Sequence, residues 1–160
     1  MSAPRLLASG HASLAARIVL GAVFLYLGMT KALDPVGFLK LVRQFDLLPP
    51  LALNLVAAVV PWCEIVFGAL LLTGRLARGT ALVSLLMIIG FTGAIALRAI
   101  ALHRTGTTAF CSLRFDCGCG TGEVFVCVKL LENTGLCLLA ALILIAPEHP
   151  FPFRRRLAPL

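Results

Sequence analysis

Apolar residues in this chain fall in four long runs, Leu14–Leu33, Leu51–Thr73, Thr80–Leu102 and about Val124–Ala146, rather than alternating or forming one-sided stripes. A helix that crosses the hydrocarbon core of a bilayer needs roughly 20 mostly apolar residues, and each run meets that length. Closed barrels are the other way to satisfy every backbone polar group in lipid, but the runs lack the period-two alternation a barrel strand requires. The pattern therefore predicts an all-α fold, a polytopic membrane four-helix bundle. It is read as one domain over residues 1–160, with no room for a soluble module.

The segments between the runs differ in character. Asp34 to Pro50 intersperses Val36, Phe38, Leu39, Leu41, Val42 and Phe45 with Lys40, Arg43, Gln44 and Asp46, the pattern of a short helix lying on the membrane interface. Pro49-Pro50 ends it and opens the second span. Gly74 to Gly79 reads as a bare turn, which makes spans two and three an antiparallel hairpin. Residues 103–123 carry Gly106, Gly118, Gly120 and Gly122 without periodicity. A loop of that length is usually functional or disordered. The proline- and arginine-rich tail, 147–160, reads as a surface anchor. The first run continues past Gly21, Tyr26 and Gly28 to Lys31 without a convincing cleavage site, so it is expected to be a retained helix rather than a signal peptide.

Composition agrees with lipid as the solvent. Sixty per cent of the 160 residues are hydrophobic, 13% are charged and the mean hydropathy is +1.01, against about a quarter charged in soluble domains. The net charge of +7 shows no basic stripe interleaved with aromatics, so nucleic acid is not an expected partner and the charge reads as a topology signal. Four spans put both termini on one side, with Arg5, Arg17, Arg75, Arg78 and Arg154 to Arg156. Lys31, Lys40, Arg43, Arg98, Arg104, Arg114 and Lys129 fall on the other. The positive-inside count ties. The second set, however, is mixed with Asp34, Asp46, Asp116, Glu123 and Glu132, and several of its cations sit within span ends. The expected orientation has both termini cytoplasmic and the 103–123 loop periplasmic or extracellular, in a bacterial inner membrane.

Chemistry concentrates in that loop. Asp116-Cys117-Gly118-Cys119-Gly120 places two thiols one residue apart in a glycine-rich polar segment, where packing gives cysteine no purpose. A Cys-x-Cys disulfide closes a small strained ring, which makes it easier to reduce than a relaxed one, and Gly118 tolerates the dihedrals that closure demands. Cys117 and Cys119 are the candidate catalytic pair. Cys111 and Cys127 flank it as either resolving or structural thiols. Cys63 and Cys137 lie in apolar helix, where a lone cysteine behaves as a small hydrophobe. The four sulfurs of Cys111, Cys117, Cys119 and Cys127 match no zinc or iron–sulfur spacing well. Soft thiolate pairs also select Cu(I), so Cys117 and Cys119 remain an alternative metal site.

Nearby positive charge lowers a thiol pKa. Arg114 is close in sequence, and Lys31, Arg98 and Lys129 fall at the same membrane face, although each could equally snorkel to headgroups. Glu64 is the outlier within the membrane, about 14 Å from the C-terminal end of its span at 1.5 Å per residue. An ionisable group at that depth is a functional candidate by default. The alternative is a helix-locking glutamate paired with Arg17 or Asn133. Arg17 and Lys31 bracket span one, near enough to its ends to snorkel.

Arg17…Gly28-x-x-Lys31-x-x-Asp34-Pro35, Pro61-x-x-Glu64-x3-Gly68 and Cys117-Gly118-Cys119-Gly120 before a last helix with Asn133 together resemble the MauE/DoxX group. These are small, redox-associated, four-helix bacterial membrane proteins. The Cys-x-Cys-Gly loop points to the MauE side, although Gly120-Thr121-Gly122 departs from the Cys-Gly-Cys-Phe-Gly usual there. The resemblance implies a link to methylamine utilisation through disulfide formation in a periplasmic dehydrogenase subunit. DoxX-like relatives include a subunit of a thiosulfate:quinone oxidoreductase.

The expected function is thus membrane thiol–disulfide exchange. Cys117 and Cys119 would cycle against a thioredoxin-like or other periplasmic protein, with a quinone as candidate electron carrier. Glu64, Lys31, Arg98, Lys129 and Arg17 would be supporting residues. Two alternatives stay open: a soft-metal (Cu or Zn) or small-thiol binding or transport protein, and a noncatalytic membrane subunit of a larger oxidoreductase. Gly21, Gly28, Gly68 and Gly90 permit close helix contacts, within one chain or between the chains of a homo- or hetero-oligomer.

Overall fold

The computed structural model describes residues 10–106, 108–116 and 122–146. Within them lie four helices long and apolar enough to cross a membrane: α1 (Gly10–Leu33), α3 (Pro50–Thr73), α4 (Ala77–Thr105) and α5 (Val126–Ile145). A shorter helix, α2 (Pro35–Gln44), follows α1. The fold is the all-α polytopic bundle that the runs of apolar residues predict.

Local chemistry sets the boundaries. Asp34 breaks the first span: its carboxylate accepts from the Gly37 amide at 2.9 Å, and Pro35 occupies the first helical turn, where its missing N–H costs nothing. Gly74, at φ 70°, ends α3 in the left-handed conformation that glycine adopts without a Cβ penalty. The turn after it is shorter than the expected Gly74 to Gly79, because α4 already begins at Ala77.

Residues 103–123 also differ from a featureless loop. Helix α4 runs on to Thr105, a 3-10 turn covers Phe110–Ser112, and strands β1 (Arg114–Asp116) and β2 (Glu123–Phe125) pair antiparallel with Asp116 opposite Glu123. The physical reason is local. Arg114, Phe115, Val124 and Phe125 supply strand-compatible pairs around a glycine-rich connection, and three residues per strand are too few to leave a legible alternation.

The core is a seam where all four spans meet: Ala16, Leu20 and Phe24 from α1, Leu71 from α3, Ala81 and Ile88 from α4, and Ala140 and Ile143 from α5. Helices α1 and α3 approach backbone to backbone. A Cβ added at Gly28 would lie 2.8 Å from the Ile65 amide nitrogen and the Pro61 carbonyl oxygen, and one at Gly68 would lie 2.8 Å from the Gly21 carbonyl oxygen. In lipid, where apolar side chains gain nothing by leaving solvent, such close packing of small residues is what holds helices together. A second apolar cluster seats α2 on the first half of α3 through Phe38, Val42, Leu53 and Ala57.

Outward-facing residues are apolar too: Leu51, Leu55, Val59, Trp62, Leu86, Leu131, Leu138 and Ile145 are exposed. That is the inverse of a water-soluble surface and marks a lipid environment.

Candidate functional site

Lys31 lies in the last turn of α1, three residues after Gly28, and the close α1–α3 contact at Gly28 brings its side chain against Glu64. The two form an ion pair at 2.5 Å, with both side chains 6% exposed. The Lys31 ammonium also lies over the Phe38 and Phe91 rings, 5.3 and 5.2 Å from their centroids, a favourable placement for a desolvated cation. Glu64 therefore pairs with Lys31 and not with Arg17 or Asn133, and Lys31 is buried rather than reaching for headgroups. The sequence hid this because α3 extends past the end of α1 to meet α2, which places the end of one span beside the interior of the next.

Arg17 is likewise turned inward, 9% exposed, with Nε donating to the Leu71 carbonyl at 3.2 Å. It sits fourteen residues before Lys31, about 21 Å along the helix, and takes no part in the Lys31–Glu64 cluster.

From α5, Lys129 and Asn133 are four residues apart and so share one helix face. Both are buried. Lys129 Nζ donates to Glu132 Oε2 at 3.1 Å, and Asn133 Nδ2 donates to Thr92 Oγ1 at 2.9 Å. Lys31, Glu64, Lys129 and Asn133 line one cavity, whose apolar walls are Phe24, Leu27, Met87, Ile88, Phe91 and Leu136. The cavity offers about 40 Å³ to water centres, where one water needs only about 10–15 Å³.

One atom in it is unsatisfied. Glu64 Oε2 is buried and has no hydrogen-bond partner among the described residues, although an ionised carboxylate oxygen accepts readily. Of the expected supporting residues, the structure brings together Lys31, Glu64 and Lys129. Arg98 is half-buried two turns beyond Phe91 and does not line the cavity. The residues that sequence reasoning missed, Phe38, Phe91, Thr92 and Met87, are apolar or weakly polar positions within helices and carry no signal of their own.

The cavity lies toward the loop end of the bundle, since Lys129 is in the first turn of α5, just after β2. Two residues before it, Cys127 forms a disulfide with Cys111. That bond ties the 3-10 turn to the start of α5, and the Val126 amide adds a bond to the Leu113 carbonyl at 3.1 Å. The base of the β1–β2 hairpin is thereby fixed to the last span. Phe45, at the end of α2, meets Phe115 of β1 edge to face at 6.1 Å.

Cys117 and Cys119 belong to the segment joining β1 to β2 and lie outside the described residues. Cys63 and Cys137 are free and half-buried within spans. Among the described residues no group of three His, Cys, Asp or Glu side chains could hold a metal ion. The Cys111–Cys127 bond also withdraws two of the four sulfurs considered for a metal.

Compared with known proteins, residues 9–146 match the family model described as "Methylamine utilisation protein MauE". No curated protein and no solved structure matches the chain. The match covers most of the sequence, and the chain belongs to the MauE family.

Proposed function

We propose, with membership of the MauE family as the premise, that this integral membrane protein carries out thiol–disulfide exchange through Cys117 and Cys119 in support of methylamine utilisation. The carrying observation is the Cys111–Cys127 disulfide. With those two sulfurs bonded to each other and Cys63 and Cys137 within helices, the loop partner left for Cys117 is Cys119. A disulfide in the same segment also suits an oxidising compartment. This supports the loop on the periplasmic side and both termini in the cytoplasm of a bacterial inner membrane.

The chemistry balances as two exchanges. A thiolate of a thioredoxin-like or other periplasmic protein attacks the Cys117–Cys119 disulfide. The mixed disulfide so formed is then resolved by the partner's second thiol, which leaves the partner oxidised and the loop pair as two thiols. Two electrons and two protons must then leave the pair, and a membrane quinone is the acceptor class that takes both.

Replacing one cysteine of the pair blocks one half of the cycle and leaves the other sulfur able to hold a partner. Cys117→Ser and Cys119→Ser, expressed in membranes and run without reductant, are expected to give one variant that accumulates a reductant-sensitive adduct with a second protein. Two variants that insert normally and form no adduct would contradict thiol exchange.

A further inference from the structure

The Lys31–Glu64 pair leaves half of its carboxylate unanswered. Oε1 takes the Lys31 ammonium, while Oε2 is buried and meets no donor among the described residues. A buried acceptor in that position gives up its hydration without compensation, most of all when it is charged. Protonation does not remove the difficulty. A proton on Oε2 turns an acceptor that lacks a donor into a donor that lacks an acceptor.

Glu64 lines the cavity with Lys31, Lys129 and Asn133, so the requirement falls on what occupies that space. The neighbouring side chains have partners already: Lys31 on Glu64, Lys129 on Glu132 and Asn133 on Thr92. The Phe38 and Phe91 rings are engaged with the Lys31 ammonium, and Phe24 and Ile88 belong to the core, so the walls ask for no apolar body. What fits is small and can both donate and accept. Apolar cavities stay dry, whereas a roomy polar one that offers two to four partners holds water. The 40 Å³ open to water centres exceeds the roughly 10–15 Å³ that one molecule needs.

We propose that this cavity is a bound-water site, in which a water donates to Glu64 Oε2 and completes its bonds on the α5 wall, at the Lys129 ammonium and the Asn133 amide. An ammonium has three donor hydrogens and a carboxamide both donates and accepts, so each can serve a water beside its side-chain partner. The water joins the Lys31–Glu64 and Lys129–Glu132 pairs and the Asn133–Thr92 bond into one network that touches all four spans. Its role is to complete a polar layer that the side chains alone leave open, since a buried network stabilises when every member is satisfied. The site involves neither Cys117 nor Cys119 and is independent of thiol exchange.

Radiolysis reads a held water directly. X-rays split it beside the side chains it touches, and the resulting radical converts a neighbouring methionine to its sulfoxide. Met87 lines the cavity, and Met29, 54% exposed on α1, is a reference of the same chemistry. The test is pulsed X-ray footprinting of the full chain in phospholipid nanodiscs, read by mass spectrometry, with and without a radical scavenger in the bulk solution.

With scavenger present, Met87 is expected to be oxidised about fivefold faster than Met29, because radicals formed from an enclosed water do not meet the scavenger. Lys31→Leu/Glu64→Leu removes both charges of the pair and strands neither, and Lys129→Leu/Asn133→Leu removes the α5 contacts. In each the Met87 rate is expected to fall to that of Met29. A native Met87 rate that the scavenger abolishes would mean passing bulk water in place of a held molecule and would overturn the site. So would a native rate equal to that of Met29, or a rate unchanged in either variant.

Discussion

At the scale of single residues, the molecule turns on one ion pair. A lysine and a glutamate, each 6% exposed, pair in the interior of a lipid-embedded bundle, with the lysine ammonium over the Phe38 and Phe91 rings. Removing one partner of a buried pair strands the other charge and costs about 3–5 kcal/mol, whereas replacing both with apolar residues of similar size is often neutral. Lys31→Met is therefore expected to lower unfolding stability in detergent by about that amount, and Lys31→Met/Glu64→Met to recover most of it. Equal losses in the single and double variants would show that the pair contributes through packing alone. The sequence made Glu64 legible as a site, because an acid in the middle of an apolar run stands out. Its partner was not legible, because Lys31 sits near a span end and pairing depends on how far one helix overshoots the next.

Among the elements, the tightest contact is that of α1 with α3 at Gly21, Gly28 and Gly68. A methyl group at Gly28 would meet backbone atoms at 2.8 Å, and backbone cannot rotate away as a side chain can. Gly28→Ala is expected to force the helices apart and to cost about 1–3 kcal/mol. At Gly90 an added Cβ meets nothing within 4 Å, so Gly90→Ala is expected to be neutral or to stabilise by up to about 1 kcal/mol through helix propensity. Thermal unfolding of the two variants side by side checks both; equal effects would contradict the described helix contact. The glycine pattern showed close approach somewhere without saying where, and Gly90 looked no different from Gly28. Length and hydropathy, by contrast, located all four spans to within a few residues, because the bilayer imposes its thickness on the sequence directly. The β1–β2 hairpin escaped for the opposite reason: three residues per strand leave no period to read.

Over the whole molecule, the two ends of the bundle are built differently. At one end Arg78 Nη2 donates to the Ala146 carbonyl at 3.2 Å, fastening the start of α4 to the end of α5. At the other, the Cys111–Cys127 disulfide, the hairpin and the Phe45–Phe115 contact form a small fixed platform, with the polar cavity beneath it. Family membership and the bilayer-spanning fold were legible because they are spread over most of the chain. The division of labour among the six cysteines was not, since four sulfurs close together in sequence can pair in several ways and only the fold brings Cys111 to Cys127.

The proposed function requires Cys117 and Cys119 to form a redox-active pair on the periplasmic face. Its most direct test is labelling of right-side-out membrane vesicles with a membrane-impermeant thiol reagent across a graded series of redox buffers, with the single serine variants as references. Thiols at positions 117 and 119 that appear together, reversibly, and at a higher potential than those of Cys111 and Cys127 are the predicted result. A pair that stays oxidised until Cys111–Cys127 is also reduced, or that reacts only from the cytoplasmic side, would contradict it.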